Sequence, residues 1–178
     1  MEMQWLLIAY KVPPEPAAGR VAIWRRLKGM GAVYLQNGVC LLPKTDDHIR
    51  RLKMLENDAT EMGGEAVILE TIGFDASQEQ KVLERFRADR DDQYREFIGK
   101  CDAFEAEIAK EFRIEKFTFA ELEEEDAELR KLQGWLEKIR KLDFYDAALG
   151  GTAGERLRAC EMLLDQYAQR VFEVQGEK

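Results

Sequence analysis

The chain has 178 residues, enough for one large domain or two small ones with a proper buried core. Its 46% hydrophobic and 35% charged residues describe a globular protein rich in surface helix, and a net charge of −8 argues against a surface coated for nucleic acid. No apolar run approaches the ~20 residues that span a bilayer.

The first apolar run, Trp5 to Tyr10, is continuous, the mark of a strand buried on both faces. It is too short for the apolar centre of a signal peptide and has no cationic start before it, so a cytoplasmic protein is expected. The segment from Lys11 to Pro16 holds three prolines, which remove backbone donors and bias their predecessors to extended geometry. A basic helix follows from Arg20 to Lys28, ended by Gly29 and Gly31. On it Val21, Trp24 and Leu27/Lys28 recur at three- and four-residue spacing, so Trp24 is expected to pack inward while Arg20, Arg25 and Arg26 project outward.

Val33 to Gln36 and Val39 to Leu42 flank Asn37-Gly38, the strongest short-range hairpin signal, with positive φ expected at both turn residues. A two-residue turn pairs Gln36 with Val39 and Leu35 with Cys40. That register puts Val33, Leu35, Cys40 and Leu42 toward the helices, and Tyr34, Val39 and Leu41 on the opposite face. Thr45 can cap a second helix through Ile49, Leu52, Leu55 and Ala59 to Met62, stopped by Gly63-Gly64. Ala66 to Ile72 reads as a fourth strand. The order βαββαβ within about 75 residues is the ferredoxin-like split arrangement. Because the back of the sheet is too apolar for water, either a second subunit or the rest of the chain is expected to cover it.

Residues 76–178 read as helices. Ser77-x-x-Gln80, Thr118-x-x-Glu121 and Thr152-x-x-Glu155 are capping-box starts. The apolar stripes run Leu83, Phe86, Tyr94, Phe97, Cys101, Phe104, Ile108, Phe112; then Leu122, Leu129, Leu132, Leu136, Ile139; then Leu157, Cys160, Leu164, Tyr167, Val171. The fold class expected is therefore α+β: a ferredoxin-like module at 1–75 and an antiparallel three-helix bundle at 76–178 packed on it.

The residues name no reaction. Cys40, Cys101 and Cys160 form no Cys-x-x-Cys pair, and with His48 the one histidine, a closed zinc site is not expected. Three reduced, buried thiols are the reading. The run Glu121 to Asp126 could suggest a metal or general-acid patch, but it starts a helix, where acids favour the dipole's positive end, and is read as a solvated face; Asp91-Asp92 is read the same way. His48 is expected to be ion-paired or exposed. The glycines fit no phosphate-cradling loop, and no triad pattern is present. No catalytic residue, cofactor or metal ligand is assigned, and the chain is expected not to be an enzyme.

Charge is the remaining signal. Between Lys11 and Lys53, nine lysines and arginines face three acids, a local excess of six that leaves −14 on the rest. Such segregation makes one electropositive region. It reads as a solvated face, as a partner for the acidic bundle, or as a contact for an anion or nucleic acid through Arg20, Arg25, Arg26, Lys28, Arg50 and Arg51.

Trp5-Leu6-Leu7-Ile8, Arg20-x3-Trp24-Arg25-Arg26-Leu27-Lys28-x2-Gly31-Ala32, Leu35-Gln36-Asn37-Gly38-Val39 and Leu41-Leu42-Pro43 resemble the N-terminal domain of the bacterial chromate-resistance protein family ChrB. Phe117 to Glu124, Trp135-Leu136-x2-Ile139 and Asp143-Phe144 extend the resemblance over nearly the whole chain. It implies a role in chromate-dependent regulation, with DNA and chromate or another oxyanion as partners, and a homodimer is expected. Longer members carry a second, C-terminal domain; this sequence stops at Lys178, so a function residing there is not expected of it. The first half also resembles the ferredoxin-like module of PaaX-type repressors and of small CRISPR-associated endoribonucleases. The nucleases place an aspartate at the end of strand one; Ala9-Tyr10-Lys11 offers none, which sets metal-dependent nuclease activity behind a regulatory or protein-interaction role.

Overall fold

The computed structural model describes residues 3–176. Its elements are β1 (Gln4–Lys11), α1 (Ala17–Gly29), β2 (Val33–Gln36), β3 (Val39–Pro43), α2 (Asp46–Glu61), β4 (Glu65–Ile72), α3 (Ala76–Arg113), α4 (Phe119–Lys141) and α5 (Gly150–Gly176). They form two compact units, 1–89 and 90–178. The division falls inside α3, so that helix supplies residues to both units, whereas the sequence suggests a break before it at 75/76.

In the first unit the sheet order is β2-β3-β1-β4 with all neighbours antiparallel, the order of a ferredoxin-like βαββαβ module. On β1, Leu6 lies opposite Leu42 and Glu70, and Ile8 opposite Cys40 and Ile68. Leu6, Ile8, Cys40 and Leu42 meet Ile23 and Leu27 of α1 and Leu52, Leu55 and Ala59 of α2 in one core. Thr45 caps α2, its hydroxyl accepting the His48 N–H at 3.0 Å.

Three local expectations are corrected by the structure. Helix α1 is rotated from the expected setting: Ile23, Leu27 and Met30 are buried, while Val21 is exposed and Trp24 is 51% exposed. The stripe through Val21 and Trp24 runs into Lys28 and is flanked by Arg20 and Arg25, so burying it would strip water from cations; the Ile23–Leu27–Met30 stripe carries none. The hairpin register also differs. Gln36 pairs with Val39 as expected, but Tyr34, not Leu35, lies opposite Cys40, with an irregularity between Tyr34 and Gln36. Only Gly38 of the turn pair takes positive φ, at 75°. One left-handed residue plus one extra residue is the bulged hairpin solution, and it turns Tyr34 to the helices and Val33 to the back. Finally, His48 is buried, its Nδ1 donating to the Pro43 carbonyl at 2.8 Å.

On the back of the sheet Trp5, Val33 and Leu41 are buried. The first turns of α3 lie here: Arg85 donates to the Tyr34 carbonyl, the Met3 N–H donates to Glu79 at 3.2 Å, and Leu83 and Phe86 are buried. Asp75, rather than Ser77, caps α3, its side chain accepting the Gln78 N–H at 2.9 Å. Val67, Leu69, Ile72 and Phe74 stay exposed.

The second unit is the helical bundle. Tyr94, Phe97, Cys101, Phe104 and Ile108 of α3 meet Leu129, Leu132, Leu136 and Ile139 of α4 and Leu157, Cys160, Leu164, Tyr167 and Val171 of α5. Phe97 and Trp135 stack edge to face at 5.7 Å. Thr118 caps α4 by accepting the Glu121 N–H at 3.2 Å, whereas α5 starts at Gly150, two residues ahead of the Thr152 expected to cap it. Asp143 ties the α4–α5 connection, accepting the Tyr94 hydroxyl at 2.8 Å and the Ala147 N–H at 2.9 Å. Asp91 accepts the Leu149 N–H at 2.9 Å, so it is a structural acceptor rather than a solvated acid. Among the described residues no helix is long and apolar enough to cross a membrane.

These local geometries set the cost of single substitutions. A Cβ at Gly38 would meet the Tyr10 carbonyl oxygen at 2.6 Å, and Gly38 already sits at positive φ, so Gly38→Ala should destabilise the first unit by at least about 1–2 kcal/mol. Gly29→Ala, with open space around it, should stay within about 1 kcal/mol of the parent, both variants being read by urea unfolding. In the second unit Tyr94→Phe should cost about 1–2 kcal/mol by removing the hydrogen bond to Asp143, read by thermal denaturation.

Candidate functional site

Rotating Ile23 and Leu27 into the core leaves Arg20, Val21, Trp24 and Arg25 on the outward side of α1. Arg20 and Trp24 are one helical turn apart and so share a face. Beside them the hairpin turn and the end of β1 complete a cleft of about 540 Å³, lined among others by Lys11, Arg20, Val21, Trp24, Tyr34 and Gly38. Among the described residues two cations line this cleft and no acid does. A low-dielectric groove of one sign concentrates field toward an anion.

The six candidate cations divide sharply. Arg26 pairs with Asp58 of α2 at 2.5 Å, and Lys28 with Asp89 at 3.7 Å. Arg50 and Arg51 both bind Asp47, the latter at 3.6 Å. Among the described residues Arg20 and Arg25 hold no ion pair. Exposed ion pairs are worth only about 0–1 kcal/mol, so the four paired cations are not locked; Arg26 and Lys28 each face one acid, while Arg50 and Arg51 share a single one. The structure therefore brings Arg20 and Arg25 to one exposed helix face with Trp24, and leaves Arg50 and Arg51 on a different helix, sharing one aspartate.

The polar floor is chemically quiet. The Tyr10 and Tyr34 hydroxyls share a hydrogen bond of 2.7 Å. Burial raises both phenols above their ordinary range, and the shared hydrogen bond adds to the rise at Tyr34. Burial likewise pushes the Cys40 thiol up to about 12, against the lowering effect of Tyr34 and Lys28. These groups remain protonated at neutral pH and can donate hydrogen bonds, but supply neither thiolate nor phenolate. Cys160 is also pushed up to about 12, by burial first, and Cys101 is raised for the same leading reason. All three cysteines are free and buried.

Sequence reasoning missed two things. Trp24 belongs to the surface rather than the core. In the bundle, the acidic run is not a uniformly solvated helix start: Glu125 is buried, as is Glu111 of α3. The signal was present in the spacing, since Glu125 falls between Leu122 and Leu129, and Glu111 continues Phe104 and Ile108, on their respective apolar stripes.

The family model described as "Protein ChrB, N-terminal" matches residues 20–178. The chain is 26% identical over 144 residues to Protein ChrB of Cupriavidus metallidurans (strain ATCC 43123 / DSM 2839 / NBRC 102507 / CH34), an alignment covering 81% of this chain and 41% of that protein. The chain thus spans less than half the length of this curated relative. The family match takes in the outward face of α1, the bulged hairpin and the whole helical bundle, and on that extent the chain belongs to the ChrB N-terminal family.

Proposed function

We propose that this chain is a non-catalytic regulatory protein of a chromate-resistance system that binds DNA through the outward face of α1. The observation that carries the reading is the exposed trio Arg20, Trp24 and Arg25, in which neither arginine has an ion-pair partner among the described residues. Guanidinium groups pair with phosphate oxygens in two-pronged hydrogen bonds, and a tryptophan ring offers a flat surface to a sugar or base. The acid-free cleft beside them keeps phosphate from meeting like charge. Membership in the ChrB N-terminal family supports the assignment to chromate resistance. With a net charge of −8 on the chain, the contact is confined to a local, acid-free part of the surface. Action as a homodimer in the cytoplasm completes the proposal, with the exposed Val67 and Leu69 on the back of the sheet as the apolar surface available to a second copy.

A second reading, capture of chromate or a similar oxyanion in the cleft itself, is favoured by one observation: Lys11 and Arg20 both line it. The two readings separate experimentally. In fluorescence anisotropy with a labelled DNA duplex, affinity should fall linearly on a log–log plot against salt. Arg20→Gln/Arg25→Gln should flatten that slope by about 2, at ~0.9 for each phosphate left without its arginine. Arg50→Gln/Arg51→Gln should change it less. Absence of binding at low salt, or equal effects of the two pairs, contradicts DNA binding by α1. For the oxyanion, calorimetric titration with chromate should give saturable heat that disappears in Lys11→Gln; no saturable heat removes that reading.

A further inference from the structure

The second unit holds a carboxylate cluster that the DNA-binding proposal does not use. Glu107 and Glu111 lie one turn apart on α3, and Glu125 reaches them from α4. One carboxylate oxygen from each lies within 4.8 Å of the other two. This is not a surface patch: Glu111 is 2% exposed and Glu125 5%. The Glu111 Oε2 atom is fully buried and has no hydrogen-bond partner.

Burying one carboxylate costs several kcal/mol unless it is paired, and three together add mutual repulsion. The protein cation nearest in effect, Lys116, is held by Glu121 at 2.6 Å and is itself half-exposed. The consequence is visible in the acids. Burial first, then the charges of Glu107 and Glu111, push the Glu125 carboxyl up to about 7. Glu111 is raised by burial first and then by the neighbouring Glu107 carboxyl. A purely structural residue at this point in the stripe would be served better by leucine, as at Leu129 and Leu132.

We propose that Glu107, Glu111 and Glu125 form a binding site for a hard divalent cation of the magnesium or manganese class. The donors are all oxygen, without imidazole or thiolate, which selects hard cations by ligand type. Ligand oxygens about 2.1 Å from such an ion stand about 3–4 Å apart, so the observed spacing closes around an ion with small side-chain adjustments. A cleft of about 420 Å³ has Glu107 and Glu125 on its wall, giving a path for the ion and room for the waters that complete its shell. The ion would cancel the buried charge, occupy the orphaned Glu111 oxygen, and cross-link α3 to α4.

The test is calorimetric titration of the full chain with Mn²⁺ after chelator treatment and dialysis, with paramagnetic resonance of the bound ion as a second readout. One saturable Mn²⁺ per chain, displaced by excess Mg²⁺ and raising Tm, is expected. Glu111→Gln and Glu125→Gln should each weaken binding about tenfold or more, the floor set by removal of groups that merely support ligands. Glu123→Gln, at an exposed position of the same helix start, should bind as the parent does. Without metal, the two buried variants should melt at or above the parent's Tm, because each removes a like charge. The parent titration decides independently of any variant: absence of a saturable Mn²⁺ site overturns the proposal, as does binding that Glu111→Gln and Glu125→Gln leave unchanged.

Discussion

Strand β1 is hydrogen-bonded on both edges, to β3 and to β4, and Leu6 and Ile8 on it are buried beneath α1 and α2. Each such side chain contributes about 1.5–3 kcal/mol when removed from water, and together they determine which stripe of α1 must face the sheet. Ile23 and Leu27 satisfy that demand without dehydrating a cation. The exposed position of Trp24 and the free reach of Arg20 and Arg25 are consequences of this packing.

The element order and the α+β class were legible because hydrophobic period, prolines and capping residues agreed with one another. Thr45 and Thr118 cap as their spacing indicates, and the cysteines are buried thiols. Rotation and register were harder. Two apolar stripes compete on α1, and spacing alone ranks them equally; the charge flanking Trp24 is what separates them. In the hairpin, one inserted residue reverses the faces of Tyr34 and Val33, and Asn-Gly is compatible with both the tight and the bulged turn. His48 is buried rather than exposed, bonding the backbone carbonyl of Pro43, which no side-chain pattern announces.

The candidate site was legible only as a charge excess. Which cations remain available depends on pairings distant in sequence, such as Arg26 with Asp58 and Lys28 with Asp89. Five of the nine cations of the basic segment are paired with acids of the same unit, while Arg20 and Arg25 stay without an ion pair among the described residues, Arg20 lining an acid-free cleft. In the bundle the same logic runs in reverse: Glu107, Glu111 and Glu125 are drawn together by stripes that are otherwise apolar, with too little positive charge to balance them. The chain's negative charge thus falls mostly on the second unit, with 22 acids against 15 bases, whereas the first unit is nearly balanced, with 13 acids against 12 bases.

The central claim, that the outward face of α1 meets DNA, is tested most directly by mapping amide and indole NMR shifts of the full chain during titration with a DNA duplex at low salt. The account predicts perturbations concentrated at Arg20, Trp24 and Arg25 and around the hairpin turn, with the Trp24 indole among the most affected and the bundle unmoved. Perturbations centred on Val67 and Leu69, or spread evenly over both units, would contradict it.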